Sequence, residues 1–179
     1  MIISGLKLKN WRNFRSVDVQ FTERVFVIGP NASGKSNLLD VFRFLRDIAK
    51  PGGGLQRAMV QRGGLSKVRC LAARKEPDVE IEVVLSEDGF TPSWRYSIGI
   101  TQQVRGYRQP ILRFEKIWKG STLIRERPDA DDEIDEERLT QTHLEQINSN
   151  ADFRDVAKFF ESVRYLHLVP QLLRHPEAF

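Results

Sequence analysis

Apolar and polar residues alternate at the start of the chain. Ile2, Leu6 and Leu8 punctuate Lys7 and Lys9, and Val17, Val19 and Phe21 do the same against Asp18 and Gln20. This period of two predicts two strands, with a bend at Asn10-Trp11-Arg12-Asn13-Phe14-Arg15 between them. Val25-Phe26-Val27-Ile28 is continuously apolar, the pattern of a short strand buried on both faces, and it stops at Gly29-Pro30-Asn31. Beyond Lys35 the period lengthens: Leu38, Val41, Phe42, Leu45 and Ile48 recur every three or four residues, one apolar stripe of a helix that Lys50-Pro51-Gly52-Gly53-Gly54 ends.

Residues 51–67 are glycine-rich and basic and predict a mobile loop with a short helix over residues 55–61. Residues 68–127 predict a run of antiparallel strands. Val79, Ile81, Val83 and Leu85 alternate with Glu80 and Glu82, and Trp94, Tyr96, Ile98 and Ile100 with Arg95, Ser97 and Gly99. Residues 111–118 and 122–124 extend that sheet, and Asp88-Gly89 and Lys119-Gly120 supply turns. Residues 129–137 hold seven carboxylates in nine positions, predicting a loop that passes into a helix running to about Asn148. A further helix is expected from Asp152 as N-cap, with Phe153, Val156, Phe159, Phe160 and Val163 on one face. Residues 165–169 read as a last strand, ended by Pro170.

With 179 residues, 40% of them apolar and 29% charged, the chain has the size and composition of one soluble domain. No apolar run approaches the roughly 18 residues that cross a bilayer, and residues 1–9 do not form a signal peptide, so a cytoplasmic location without membrane contact is expected. The single cysteine, Cys70, excludes an internal disulfide and a multi-cysteine zinc site and reads as a half-buried strand residue. His143, His167 and His175 lack metal-ligand spacing. Charge is uneven: residues 1–75 carry 15 Lys/Arg against 4 Asp/Glu, and the remainder 13 against 20. A basic front half suits polyphosphate or nucleic acid, though such residues also simply solvate a surface.

Gly29-Pro30-Asn31-Ala32-Ser33-Gly34-Lys35-Ser36 fits the phosphate-loop pattern G-x-x-x-x-G-K-[ST] at every fixed position. The glycines let the backbone wrap closely, so that successive N–H groups and the start of the following helix face an anion. Lys35 is the candidate catalytic residue, a cation for the β- and γ-phosphates, and the Ser36 hydroxyl is the candidate Mg²⁺ ligand. The expected ligands are therefore ATP and Mg²⁺.

The longer stretch from Ile28 through Asn37 to Asp40 resembles the SMC, RecF and OLD group of ABC-type, AAA-family ATPases, whose loop usually reads G-P-N-G/A-S-G-K-S-N. Leu6-Lys7-Leu8-Lys9-Asn10-Trp11-Arg12-Asn13-Phe14 strengthens the resemblance, which covers about the first 50 residues. It implies an α/β fold: the N-terminal lobe of a P-loop NTPase head with an added antiparallel β-sheet and C-terminal helices. The lobe would divide into residues 1–50, 51–127 and 128–179. It also implies that Asn37 belongs to the loop, and that Asn10, Arg12 or Asn13 lies beside the nucleotide, although Arg12 also reads as an ordinary turn residue. Gln171, with Gln61 second, is the candidate for the family's Mg²⁺-sensing glutamine; Gln171 reads equally as a helix-start residue.

Three elements of such heads are missing. These are a hydrophobic strand ending in Asp-Glu (Walker B), an L-S-G-G signature and a switch histidine. Val83-Val84-Leu85-Ser86-Glu87-Asp88 reads as a surface hairpin, and Arg62-Gly63-Gly64-Leu65-Ser66 has the signature's letters out of order. The resemblance thus implies a lobe completed by a C-terminal lobe with those motifs, ATP-dependent pairing of two heads, and DNA or a nuclease as effector. Two other classes compete: a nucleotide-binding scaffold without hydrolysis, and a small P-loop kinase or GTPase. The last is disfavoured because N-K-x-D and D-x-x-G are absent.

Overall fold

The computed structural model describes residues 1–73, 77–104 and 107–166. Six strands, β1 (Ile2–Trp11), β2 (Phe14–Gln20), β3 (Val79–Ser86), β4 (Pro92–Gln102), β5 (Pro110–Lys119) and β6 (Thr122–Arg127), form one sheet in the order β2-β1-β3-β4-β5-β6. Every neighbouring pair is antiparallel. The period-two pattern decides the two faces. Leu6, Leu8, Ile81, Val83, Tyr96, Ile98 and Ile117 are fully or almost fully buried. Helices α1 (Lys35–Ala49) and α5 (Arg154–Ser162) lie against that face, with Phe44 packed on Trp11 and Phe160 on Tyr96 at ring centroid distances of 5.3 and 5.7 Å. The opposite face carries cross-strand ion pairs, Lys9 with Glu80 at 3.1 Å and Lys116 with Glu126 at 2.6 Å. Gly99 leaves room there for the Phe114 ring, which a Cβ would meet at 2.4 Å.

Residues 51–67 do not form an open loop, because two short helices within and beside them pack into the core. Leu55, Ala58 and Met59 of α2 (Leu55–Val60) and Leu65 and Val68 of α3 (Leu65–Val68) are buried in the common core, so apolar spacing outweighs the glycines. Gly53 and Gly54 fit close under the end of α1, where the Gly54 amide donates to the Asp47 carbonyl at 3.1 Å and a Cβ on Gly53 would meet that oxygen at 2.1 Å. Residues 25–28 are not a buried strand. They form neither helix nor strand, and among the described residues no strand pairs with them; Phe26 is 85% and Ile28 92% exposed. An apolar run becomes a buried strand only where neighbours supply both backbone edges and both faces.

The acidic segment also departs from expectation. Asp129 and Asp132 cap each other's backbone N–H to start α4 (Ala130–Ile134), but the helix stops there, and a 3₁₀ turn over Glu136–Thr140 and irregular turns replace the helix to Asn148. Buried Glu115 on β5 accepts from the His143 and Leu144 amides at 2.7 and 3.3 Å, which pins that stretch to the sheet. Helix α5 begins at Arg154, after a single 3₁₀ turn, and Asp152 pairs with Arg125 instead of capping it. Tyr165 and Leu166 are not in a strand, and the rest of the expected final strand lies outside the described residues.

His143 is buried beside Arg127, and burial together with that positive charge lowers its pKa to about 4. A folded-state pKa below the unfolded one contributes stability that is present above the unfolded value and lost as pH falls through the folded one. Stability should therefore fall between pH 6.5 and 4 more steeply in the wild type than in His143→Gln. Glu115, raised by burial, titrates in both proteins, so the difference between two urea-denaturation series isolates the histidine. Equal slopes would refute the assignment.

Candidate functional site

Residues 29–36 connect the exposed run 25–28 to α1, and two residues in the left-handed region shape them: Ala32 at φ 63° and Gly34 at φ 101°. The Ser33 amide donates to the Pro30 carbonyl at 3.3 Å. Gly34 ends the loop as N-cap of α1, with no side chain satisfying the helix's first N–H groups and no acidic residue in its first turn. A hollow of about 410 Å³ lined by Asn31, Ala32, Ser33, Gly34, Lys35, Ser36 and Asn37 opens at this point. Unsatisfied amides, the positive end of a 15-residue helix and an ammonium group combine into a cradle for an anion. Lys35 Nζ donates to the carbonyls of Gly29 and Pro30, both at 2.7 Å, which holds the ammonium at the loop itself.

A larger hollow of about 500 Å³ lies at the other end of α1, lined by Lys50, Gly52, Asn150, Arg154 and Lys158 among others. It faces the negative end of that helix, and Lys50 is held by Asp47 at 2.9 Å, so it suits a polyphosphate less well.

The bend between β1 and β2 is built against the loop. Trp11 is fully buried and its Nε1 donates to the Asn37 carbonyl at 2.8 Å, while Asn37 Nδ2 donates to Asn13 Oδ1 at 2.8 Å. Asn13 and Phe14 crowd Gly34 so closely that a Cβ there would lie 2.4 Å from Asn13 Nδ2 and 2.9 Å from Phe14 Cζ. Asn13 thus touches the loop directly. Arg12, at φ 53°, turns away from it: Nη2 donates to Asp40 at 3.0 Å and Nη1 to the Lys67 carbonyl at 3.3 Å. Asn10 is buried behind the bend, with Nδ2 donating to the Asp78 carbonyl at 2.9 Å.

Gln61 is exposed at the end of α2. Gln171, His167 and His175 lie outside the described residues. Asp88 accepts from the Phe90 and Thr91 amides and the Thr91 hydroxyl, closing the β3–β4 turn as the sequence predicts. Among the described residues no group of three or more His, Cys, Asp or Glu side chains could hold a metal ion, and no helix is long and apolar enough to cross a membrane. Sequence reading missed Asp40 and Arg62, which meet behind the loop. The available signal was Asp40 one helical turn after Ser36, facing the bend, and an arginine preceding paired glycines.

A family model described as "AAA domain, putative AbiEii toxin, Type IV TA system" matches residues 24–177. The chain belongs to this AAA domain family. Over 91 residues it is 35% identical to the DNA replication and repair protein RecF of Latilactobacillus sakei subsp. sakei, a match covering 50% of this chain and 24% of the relative. The RecF of Roseiflexus castenholzii is 28% identical over 117 residues, 60% of this chain and 29% of the relative. That of Oenococcus oeni reaches 46% over 46 residues, 25% and 12% respectively. The chain spans less than a third of the length of these relatives. The expected kinship with RecF-type ATPases holds, and of the expected fold class the structure has the mixed α/β character and the antiparallel sheet.

Proposed function

We propose that this AAA domain binds ATP with Mg²⁺ in the loop of residues 29–36. The observation that carries the reading is the uncapped N-terminus of α1 opening on the hollow beside the tethered Lys35 ammonium. The amides of Asn31, Ala32, Ser33 and Gly34 would surround the phosphates, with Gly29 and Pro30 closing the loop. Lys35 would exchange its two neutral carbonyl acceptors for anionic phosphate oxygens, so that both partners of each contact carry charge. Ser36 would hold Mg²⁺, which supplies charge neutralisation between phosphate oxygens. Asn13 and Asn37 would set the wall of the site, and Arg12 would act from behind it. Gln171 is retained as the proposed second Mg²⁺ contact.

Hydrolysis, in this reading, requires further polypeptide. The exposed run 25–28 borders an apolar groove of about 350 Å³ lined by Ile3, Phe21, Val27, Leu39 and Phe42 among others. We propose that a C-terminal lobe with Walker B and signature motifs supplies the missing strands, that ATP pairs two such heads, and that the whole acts in the cytoplasm in DNA repair, DNA maintenance or phage defence. The RecF relatives' printed names support the first two of these settings. One observation favours a scaffold that binds without hydrolysing: Asp88, at the acidic strand end of β3, closes its own turn.

Calorimetric titration with ATP and Mg²⁺ tests the reading. Lys35→Ala should lose roughly tenfold to a hundredfold in affinity, the range expected for hydrogen bonds to a charged group. Equal affinity in the two proteins would sink it. Steady-state turnover near 1 s⁻¹, an ordinary enzyme rate, would exclude the scaffold alternative.

A further inference from the structure

We infer that Arg62 is a positioning residue for the phosphate loop, acting through Asp40 and Arg12; the inference rests on the reading of that loop as a nucleotide site. Arg62 follows α2, and its side chain is 5% exposed. The guanidinium lies between two carboxylates of α1. Nε and Nη2 form a two-pronged contact with Asp40 at 3.0 and 2.9 Å, and Nη1 and Nη2 both reach Asp47 Oδ2 at 3.1 Å. Nη1 also donates to the Ala58 carbonyl at 2.9 Å, and the Phe44 ring lies 5.1 Å away. A planar fork held on both edges fixes the orientation of the Asp40 carboxylate in a way a point charge would not.

That orientation is what Arg12 uses. Asp40 Oδ2, already bonded to Arg62 Nε, accepts from Arg12 Nη2 at 3.0 Å. Arg12 has a left-handed backbone, φ 53°, which costs a non-glycine residue energy and persists only where its surroundings hold it. Its amide donates to the Val68 carbonyl at 2.6 Å and its Nη1 to the Lys67 carbonyl. The next residue, Asn13, is the one pressed on Gly34 and bonded to Asn37. A chain of direct contacts therefore runs from the segment after α2, through Arg62, Asp40 and Arg12, to the wall of the phosphate loop.

The test measures ATP–Mg²⁺ affinity and melting temperature for wild type, Arg62→Lys, Asn13→Ala, the double variant, Lys35→Ala and Tyr96→Phe. The lysine keeps the charge but cannot make the two-pronged contact. Tyr96→Phe removes a buried hydrogen bond to Glu115 far from the loop and serves as a purely structural control. Arg62→Lys should weaken binding roughly tenfold, the worth of one hydrogen bond to a charged group, and add little further loss in the Asn13→Ala background. Tyr96→Phe should lower the melting temperature with affinity unchanged. Wild-type affinity in Arg62→Lys, with Lys35→Ala impaired, overturns the inference and leaves the nucleotide site standing. So does an Arg62→Lys loss that is undiminished by Asn13→Ala, or one that Tyr96→Phe reproduces. If wild type binds no better than Lys35→Ala, the phosphate-loop reading falls and the inference falls with it.

Discussion

Replacing Arg127 with alanine should destabilise the chain by about 3–5 kcal/mol, the range for removing one partner of a buried ion pair. Arg127 ends β6 with 1% exposure, and its guanidinium is fully engaged. Nε and Nη2 contact the two oxygens of Asp132 at 2.8 and 2.6 Å, Nη1 donates to the Gln141 carbonyl at 2.7 Å and Nη2 to the Arg138 carbonyl at 3.0 Å. Glu115 lies 3.7 Å from Nη1. Burial alone would raise the Asp132 pKa, but the hydrogen bonds from Arg127 and the Asp129 amide reverse that and hold it well below the usual carboxylate range. Alanine leaves the buried Asp132 carboxylate with only Arg138 Nε at 3.1 Å and the Asp129 amide at 3.0 Å, and leaves two carbonyls without their donor, a penalty larger than the loss of a surface pair.

The effect should be regional as well as large. Arg127 joins residues 129–142 to the sheet alongside Glu115, so amide hydrogens of residues 136–144 should exchange faster in the variant while those of α1 keep most of their protection. Urea denaturation reads the first quantity and hydrogen exchange the second. A loss under about 1 kcal/mol, the level of an exposed pair, would mean that the buried network contributes little. Pairing Arg127→Met with Asp132→Leu should recover part of the loss, because apolar replacement removes both charges together.

How far the sequence reveals this molecule depends on the range of the interactions involved. The six strands of the sheet and α1 were legible because alternation and three-to-four spacing are local patterns; Tyr96 and Val83 are buried for the reason their spacing indicates. The loop of residues 29–36 stands out as a candidate site because each of its residue types answers a steric or electrostatic demand made within eight positions. What could not be read depends on partners distant in sequence. Glu115 holding the His143 amide spans 28 residues and converts an expected helix into turns. Arg62 reaching Asp40 spans 22 and turns an apparently loose glycine segment into a packed clasp. Residues 25–28 fail in the opposite sense: their apolarity is that of a buried strand, but burial is a property of neighbours, and among the described residues no strand pairs with them.

Gly34→Ala should weaken ATP binding by about a hundredfold while leaving the core folded. Two separate obstacles meet at this position. Its φ of 101° lies where side chains are disfavoured, and an added Cβ would stand 2.4 and 2.9 Å from the Asn13 amide atoms and 2.9 Å from the Phe14 ring. Asn13 cannot simply swing aside without releasing Asn37, so relief must come from the loop backbone, whose N–H directions are the proposed site. Gly64→Ala separates the two obstacles. Gly64 also has a positive φ, 84°, but nothing lies within 4 Å of a Cβ there. Both variants should lose about 1–3 kcal/mol of stability from backbone strain, and only Gly34→Ala should lose binding, by a hundredfold or so if distorted amides forfeit about 3 kcal/mol of contact with the phosphates. Calorimetry beside thermal melting distinguishes the outcomes. Binding retained in Gly34→Ala would show that the close packing of the bend on the loop is dispensable for the anion, whereas binding lost equally in both variants would assign the effect to general destabilisation rather than to the geometry of the loop.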